Sequence, residues 1–150
     1  MTWTRDDGYT VTDDPARVDL DVVHGYLTHS YWSPGIARVT VARAMAHSLP
    51  FSLLAPDGTQ VGYARVVTDY TSFGYLADVF VLEAHRGRGL ATWLMLRILA
   101  HPELSTLRRW MLVTNDAHGL YRKVGFTAPV HPERIMEWKP PQNQPTGSIA

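Results

Sequence analysis

One short segment limits the fold of this chain more than any other. Residues 79–82, Val-Phe-Val-Leu, have the pattern of a buried strand, and the basic turn that follows leads into an apolar helix expected over 89–100. A strand that passes through a tight turn into a helix is typical of α/β domains. The chain is therefore expected to pack helices on a sheet.

We call residues 86–91, Arg-Gly-Arg-Gly-Leu-Ala, the glycine turn. The first amide N–H groups of a helix have no partner within it and lie at the positive end of its dipole, so such a turn can bind an anion. Gly87 and Gly89 let the backbone approach a phosphate closely, and Ala91 leaves room for its oxygens. Arg86 and Arg88 add positive charge. The alternative is that the turn is only a tight connection.

Two other phosphate-binding loops fit this segment poorly. A Walker loop needs a lysine before its Ser or Thr, and no lysine lies here. The dinucleotide fingerprint would place its third glycine at Thr92, and no simple strand-helix-strand unit begins here. Neither of these two loop types therefore accounts for the turn.

The rest of the chain alternates strand and helix patterns, in a mixed α/β order. Strands are predicted at 9–12, 51–55, 60–69, 73–82, 109–114 and from Phe126 onward, including 135–138. Helices are predicted at 19–29, 89–100 and 116–124, and a further one places Val39, Ala42, Met45, Ala46 and Leu49 on one side. With 45% apolar residues, 150 residues can form one domain, expected over 1–139, and the proline-rich residues 140–150 are expected to be a flexible tail.

Composition argues against several classes of protein. Fourteen basic residues balance fourteen acidic ones, so no nucleic acid or membrane surface is expected as a partner. The absence of cysteine excludes disulfides, thiolate metal sites and a cysteine nucleophile. The seven histidines are scattered without metal-binding spacing, so no metal is expected. No apolar stretch approaches the roughly 18 residues of a membrane span, and the N-terminus lacks an export signal, so a cytoplasmic protein is expected.

Two segments resemble one known family. Arg86-Gly87-Arg88-Gly89-Leu90-Ala91 looks like the coenzyme A motif Arg/Gln-x-x-Gly-x-Gly/Ala of the GNAT N-acetyltransferases. Residues 114–126 resemble the strand-helix segment that ends in that family's Leu-Tyr-x-x-x-Gly-Phe, and the distance between the two segments also fits. Alanine at the sixth motif position is within the family's pattern. Together the two segments cover about half of the chain.

The resemblance implies a fold, a reaction and a cofactor. The fold is α/β, with a mixed, mostly antiparallel sheet of six to seven strands flanked by about four helices. The reaction is transfer of an acetyl group from acetyl-CoA to a primary amine by direct attack in a ternary complex. The strand before the glycine turn, with Val79, Phe80 and Val81, would bind pantetheine, and Arg86, Gly87, Arg88, Gly89, Leu90 and Ala91 would hold the pyrophosphate. Asn115 would orient the cofactor arm or cap the following helix.

Acetyl transfer from a thioester to an amine needs a proton acceptor and a proton donor. The resemblance makes Tyr121 the donor to the leaving thiolate, although it could instead be a packing aromatic. Asp78 is the first candidate for the base that takes the proton of the amine, and Asp69 is the second. Either aspartate could instead cap a turn or pair with an arginine.

The acceptor is not identifiable from the sequence. Tyr31 and Trp32, between the first two helices, are expected to line its pocket, with a hydrophobic plug as the alternative. His118 could face the same cleft or only solvent. The acceptor could be a small amine, an amino acid, an antibiotic or a protein amine. Whether the protein forms a homodimer is also left open by the sequence. An acyl-CoA sensor without turnover and an enzyme for longer acyl groups are the other functions considered.

Overall fold

A computed structural model describes residues 1–141, and within them the sequence forms six strands and four α-helices. The strands are β1 (Thr2–Thr4), β2 (Thr10–Thr12), β3 (Leu49–Leu54), β4 (Gln60–Thr68), β5 (Gly74–Val81) and β6 (Trp110–Met111). The helices are α1 (Leu20–Leu27), α2 (Arg38–Ala46), α3 (Leu90–Leu99) and α4 (His118–Lys123). Short 3₁₀ turns lie at Pro15–Arg17, Glu83–His85 and Pro132–Arg134. The flexible tail predicted for 140–150 lies almost entirely outside the described residues.

The strands form one sheet in the order β1-β2-β3-β4-β5-β6. All neighbours are antiparallel except β5 and β6, which run parallel. The parallel pair is short, because only Gly74 and Tyr75 of β5 pair with β6 while β5 continues to Val81. We call the space between the separated ends of β5 and β6 the strand gap. The predicted α/β class, with a mostly antiparallel sheet and four helices, is confirmed.

Helices cover both faces of this sheet. Tyr63 and Phe80 pack in a cluster with residues of α1 and α2, whereas Ala64 and Val81, their neighbours along the chain, belong to the larger cluster with α3. Side chains of successive strand residues lie on opposite faces, which is why both faces are apolar. The result is a three-layer domain in which the strand gap opens beside α3 and α4.

The predictions made for the two N-terminal helices are confirmed in part. Asp19 caps α1 as predicted, because its Oδ1 accepts hydrogen bonds from the amides of Asp21 and Val22. The apolar set predicted for one side of α2 is wrong at its two ends, because Val39 is 75% exposed and Leu49 lies in β3, while Val41 is the buried residue of the helix. The helix ends at Ala46, too early to carry Leu49.

The predicted closing strands are also wrong within the described residues. Residues 126–141 form no strand, and β6 is limited to Trp110–Met111 of the predicted 109–114. Proline lacks the amide donor that a strand ladder needs, and Pro129 and Pro132 interrupt this stretch. Strand β1, by contrast, was not predicted.

Candidate active site

The glycine turn has the backbone geometry expected of an anion site. Gly87 and Gly89 both adopt left-handed conformations, with φ of 78° and 71°. Gly89 is the N-cap residue of α3 and offers no side chain to the first amides of the helix. Residues 86–89 are exposed, and a Cβ at Gly87 would meet nothing within 4 Å, so φ rather than crowding requires glycine at Gly87. Amides at the start of α3 are therefore free to bind an anion.

The backbone of β5 offers further groups to the strand gap. Leu82 N donates to Val61 O at 2.8 Å, so the amides and carbonyls of Leu82 and Phe80 face β4, whereas those of Val81 and the carbonyl of Val79 face away from it. Arg86 Nε donates to Val81 O at 2.9 Å. The Val81 amide and the Val79 carbonyl thus remain for a ligand in the gap.

Two residues of the predicted cofactor site have core side chains. Phe80 is 4% exposed and stacks on Tyr26 with ring centroids 4.1 Å apart. Leu90 is 2% exposed in the α3 cluster. A ligand could therefore use only their peptide groups, and for Phe80 these face β4.

Asp78 lies at an irregularity of β5. The register slips between Tyr63 and Arg65 of β4, so Asp78 and Val79 together oppose one residue, and Asp78 has a φ of 55°. Aspartate tolerates this conformation, and a bulge re-aims the side chain that it carries. Asp78 Oδ2 accepts from Arg65 Nε at 2.6 Å, and Oδ1 accepts from Trp32 Nε1 at 3.0 Å. The carboxylate is thereby held in one orientation.

Tyr121 lies on α4 and is 8% exposed. Burial, with smaller contributions from Tyr31 and Asp116, raises the pKa of its hydroxyl to about 12. Within residues 1–141 this hydroxyl has no hydrogen-bond partner, while the ring packs on Phe126 with centroids 5.9 Å apart. The phenol therefore stays protonated at neutral pH and is free to donate a hydrogen bond.

The loop between α1 and α2, residues 30–35, crosses this region, and we call it the aromatic loop. Trp32 of this loop donates the hydrogen bond to Asp78 described above. The Tyr31 hydroxyl accepts a hydrogen bond from the backbone amide of Asn115 at 3.1 Å and lies 3.4 Å from Asp116 Oδ1. The two aromatic rings meet edge to face, and they are 50% and 38% exposed. Both rings are thus partly accessible from the solvent.

One cavity of about 470 Å³ unites most of these groups, and we call it the central cavity. The predicted site residues that line it are Tyr31, Trp32, Asp78, Val79, Asn115 and Tyr121. A separate cavity of about 340 Å³ lies between the end of α3, β6 and residues 124–135. We place the candidate site in the central cavity because the proposed acid and base meet there.

Asp69 and His118 do not line the central cavity. Asp69 lies in the β4–β5 turn, where its carboxylate accepts from the hydroxyl and amide of Ser72 and from the amides of Thr71 and Phe73. The hydrogen bond from the Ser72 hydroxyl, followed by the amide bonds, holds the pKa of Asp69 well below its usual value. His118 is exposed at the start of α4 and lines a neighbouring cavity.

Asn115 does not cap α4 either. The Thr114 hydroxyl accepts from the amide of Ala117, the N-cap residue, at 3.1 Å, while Asn115 is exposed at the edge of the central cavity. Of the two roles considered for Asn115, only the orientation of a ligand remains a prediction.

Sequence reasoning missed two arginines. Arg65, on β4, binds Asp78 and also donates to Ser48 Oγ at 3.2 Å. The available signal was a charged residue inside the apolar run 61–67. Arg5 donates from Nη1 to Arg88 O at 3.0 Å, and because 83 positions separate them no local pattern could show this contact.

Residues 1–141 contain no group of three or more His, Asp or Glu side chains arranged to hold a metal ion. None of their helices has the length and hydropathy needed to cross a membrane.

Comparison with known proteins places the chain in a family. Residues 48–128 match the model of the acetyltransferase (GNAT) domain. A candidate acetyltransferase of Gibberella zeae is 34% identical over 144 residues, covering 82% of this chain and 80% of its own.

Solved structures agree with this result. The crystal structure of a candidate acetyltransferase of the GNAT family from Xanthomonas campestris pv. campestris is 46% identical, covers 89% of this chain and 94% of its own, and superposes with a TM-score of 0.84. A candidate acetyltransferase from Clostridium acetobutylicum, described with acetyl-CoA, shares the fold at 15% identity and a TM-score of 0.63, covering 93% of this chain and 96% of its own. On the family match and these relatives, the chain belongs to the GNAT acetyltransferase family.

Proposed function

We propose that this protein transfers an acetyl group from acetyl-CoA to a primary amine, with both substrates bound together. The observation that carries the proposal is that Asp78 and Tyr121 line the same cavity beside the strand gap. A general base and a proton donor are the two groups that aminolysis of a thioester needs. The Clostridium acetobutylicum relative, described with acetyl-CoA, supports the choice of acyl donor.

The described residues fit acetyl-CoA in two places. The free amides at the start of α3, with Arg86 and Arg88, suit a pyrophosphate. The peptide groups of Val79 and Val81 that face the strand gap suit the amides of a pantetheine arm. Bound there, acetyl-CoA would supply the activated acetyl group as a thioester.

Asp78 would act on the amine. An amine with a pKa near 10 is mostly protonated at neutral pH, so it must lose a proton before it can attack. A carboxylate has about four lone-pair positions, and two of those on Asp78 accept from Arg65 and Trp32. The remaining positions can take the proton of the amine directly or through water.

Tyr121 would act on the leaving group. As the N–C bond forms and the C–S bond breaks, negative charge develops on sulfur, and the unpartnered phenol can donate a hydrogen bond to it. With a pKa near 12, compared with about 8.5 for a thiol, full proton transfer from Tyr121 would cost roughly 5 kcal/mol. We therefore assign Tyr121 mainly to hydrogen-bond stabilisation of the thiolate. Proton transfer would become less costly if the bound cofactor brought the pKa values of the phenol and the thiol closer together.

The aromatic loop would form the wall of the acceptor pocket. Trp32 contacts Asp78 directly, and Tyr31 reaches Asn115 on the opposite side of the central cavity. Both rings therefore form part of the cavity wall near Asp78. The acceptor is proposed to be a small-molecule or peptide amine of a size set by this loop.

The test is an amine panel with acetyl-CoA. Because the chain contains no cysteine, a thiol reagent reports released coenzyme A without background from the protein. We expect amine-dependent release together with an acetylated product identified by mass spectrometry. Binding of acetyl-CoA without product from any amine would instead indicate a sensor.

A further inference from the structure

The N-terminal hairpin contacts the glycine turn directly. The N-terminal hairpin consists of β1, β2 and the connecting residues 5–9. Within the connection, Arg5 N donates to Tyr9 O and Gly8 N donates to Arg5 O, both at 2.8 Å. Arg5 Nη1 then donates to Arg88 O, in the middle of the glycine turn, at 3.0 Å. The hairpin and the turn are thus joined across 83 positions of sequence.

The Arg5 guanidinium is fixed on several sides. Asp7 accepts from its Nε at 2.9 Å and from its Nη2 at 2.6 Å, a two-pronged pairing that sets the plane of the group. Its central carbon lies 5.6 Å from the ring centroids of both Tyr9 and Trp93. The direction in which Nη1 donates to Arg88 O is therefore determined before any ligand binds.

Fixing the Arg88 carbonyl also fixes the next amide. The Arg88–Gly89 peptide is planar and trans, so its N–H points opposite to its C=O. With the carbonyl held by Arg5, the Gly89 N–H must point away from the hairpin, at the start of α3. Glycines on both sides of Arg88 would otherwise allow this peptide to rotate, because glycine adopts either sign of φ readily.

The hairpin also contacts the other end of the turn. The Tyr9 hydroxyl and His85 Nδ1 are hydrogen-bonded at 2.8 Å, and their rings meet edge to face. Tyr9 is 4% exposed, so this contact is anchored in the core. His85 immediately precedes Arg86, where the glycine turn begins.

We propose that the N-terminal hairpin positions the cofactor turn: Arg5 fixes the Arg88–Gly89 peptide so that the Gly89 amide is already oriented for a phosphate oxygen. Arg5 is a positioning residue, since Asp7 neutralises its charge and its contact is with the turn. Ordering the turn in advance lowers the entropy lost on binding and so raises affinity. This inference rests on the proposed function, because it assumes that the glycine turn binds coenzyme A.

The first test measures coenzyme A binding by calorimetry. Arg5→Met keeps an apolar stem between the two rings but removes the donor, and we expect the Kd to rise about five- to tenfold, the effect of one hydrogen bond. The KM for acetyl-CoA should rise in parallel, while the KM for the amine stays unchanged. Arg5→Lys should not restore affinity, because lysine lacks the planar fork.

Asp7→Asn separates positioning from charge attraction. It makes the hairpin more positive, so direct attraction of phosphate predicts tighter binding, whereas loss of the fixed guanidinium predicts weaker binding. Asp6→Asn is the matched control, because it removes the same charge from the preceding residue, which has no hydrogen bond or ion pair in residues 1–141. The Kd for coenzyme A should not change in this variant.

A second measurement needs no cofactor. In the free protein, ¹⁵N relaxation should give the Gly89 amide an order parameter near the rigid value of about 0.85, and Arg5→Met should lower it. An unchanged Kd or an unchanged order parameter in a folded Arg5→Met overturns the inference. A parent protein that fails to bind coenzyme A contradicts the proposed function, and a lowered order parameter would then leave Arg5 with a structural role only.

Discussion

Arg65 Nε lies 2.6 Å from Asp78 Oδ2, and the two residues occupy facing strands at the bulge between β4 and β5. Their side chains are only 20% and 11% exposed. The ion pair holds the Asp78 carboxylate in one orientation at the wall of the central cavity. The first two predictions concern this pair.

Replacing Asp78 with Asn should remove the proposed base while keeping the size of the side chain. We expect kcat/KM for the amine to fall roughly 10²-fold. The loss should be largest below the pKa of the amine, where its neutral form is scarce. Asp69→Asn is the matched control, since Asp69 lies in a turn away from the cavity. A pH profile of Asp78→Asn that matches the parent would assign deprotonation to water.

Replacing Arg65 with Met should leave the Asp78 carboxylate largely buried without its ionic partner. We expect the free energy of unfolding to fall by roughly 2 kcal/mol, as for loss of a hydrogen bond to a charged group. In urea denaturation the double variant with Asp78→Asn should recover part of this loss, because the two sites are coupled. Additive losses would mean that the pair contributes no coupling energy.

Replacing Trp32 with Ala should affect the acceptor more than the cofactor. The side chain is 38% exposed, so stability should change little, whereas the wall beside Asp78 is removed. Steady-state kinetics should show a several-fold rise in the KM for the amine and an unchanged KM for acetyl-CoA. Equal changes in both constants, or loss of folding, would favour a packing role.

Asp69 should stabilise the β4–β5 turn in a pH-dependent manner. Its hydrogen bonds lower its pKa below 3.8 in the folded state, so the stabilisation is present above that pH and is lost as the pH falls through the folded pKa. Asp69→Ala should therefore lower the Tm at pH 7, and the difference from the parent should narrow below about pH 4. A difference that stays constant with pH would mean that the ionised carboxylate is not what stabilises the turn.

Local patterns predicted the parts of the site that are themselves local. The strand, the glycine turn and α3 follow one another in the chain, so their order could be read directly, and Tyr121 was placed by a short motif. Contacts between distant segments carried no comparable signal, which is why Arg65 and Arg5 were missed.

The structure differs from the sequence-based predictions at two other places, each for a physical reason. The residues around Asp69 form a hairpin turn whose amides converge on the carboxylate, and this geometry is not visible in the alternation that predicted the strands. Three of the residues 135–138 are apolar and predicted a strand, but within the described chain they do not pair with the sheet and Met136 is 95% exposed.

The most direct test of the proposed acetyl transfer compares the parent with Tyr121→Phe at saturating acetyl-CoA. The acceptor is the amine of the panel that reacts fastest, and both coenzyme A and the acetylated product are measured. The variant keeps the ring against Phe126 and deletes only the hydroxyl. We predict equimolar coenzyme A and acetyl-amine from the parent, and a kcat roughly 10²-fold lower in the variant with unchanged Tm and coenzyme A affinity. Equal rates in the two proteins, with chemistry limiting, would contradict the role of Tyr121, and a parent that forms no acetyl-amine would contradict the transferase itself.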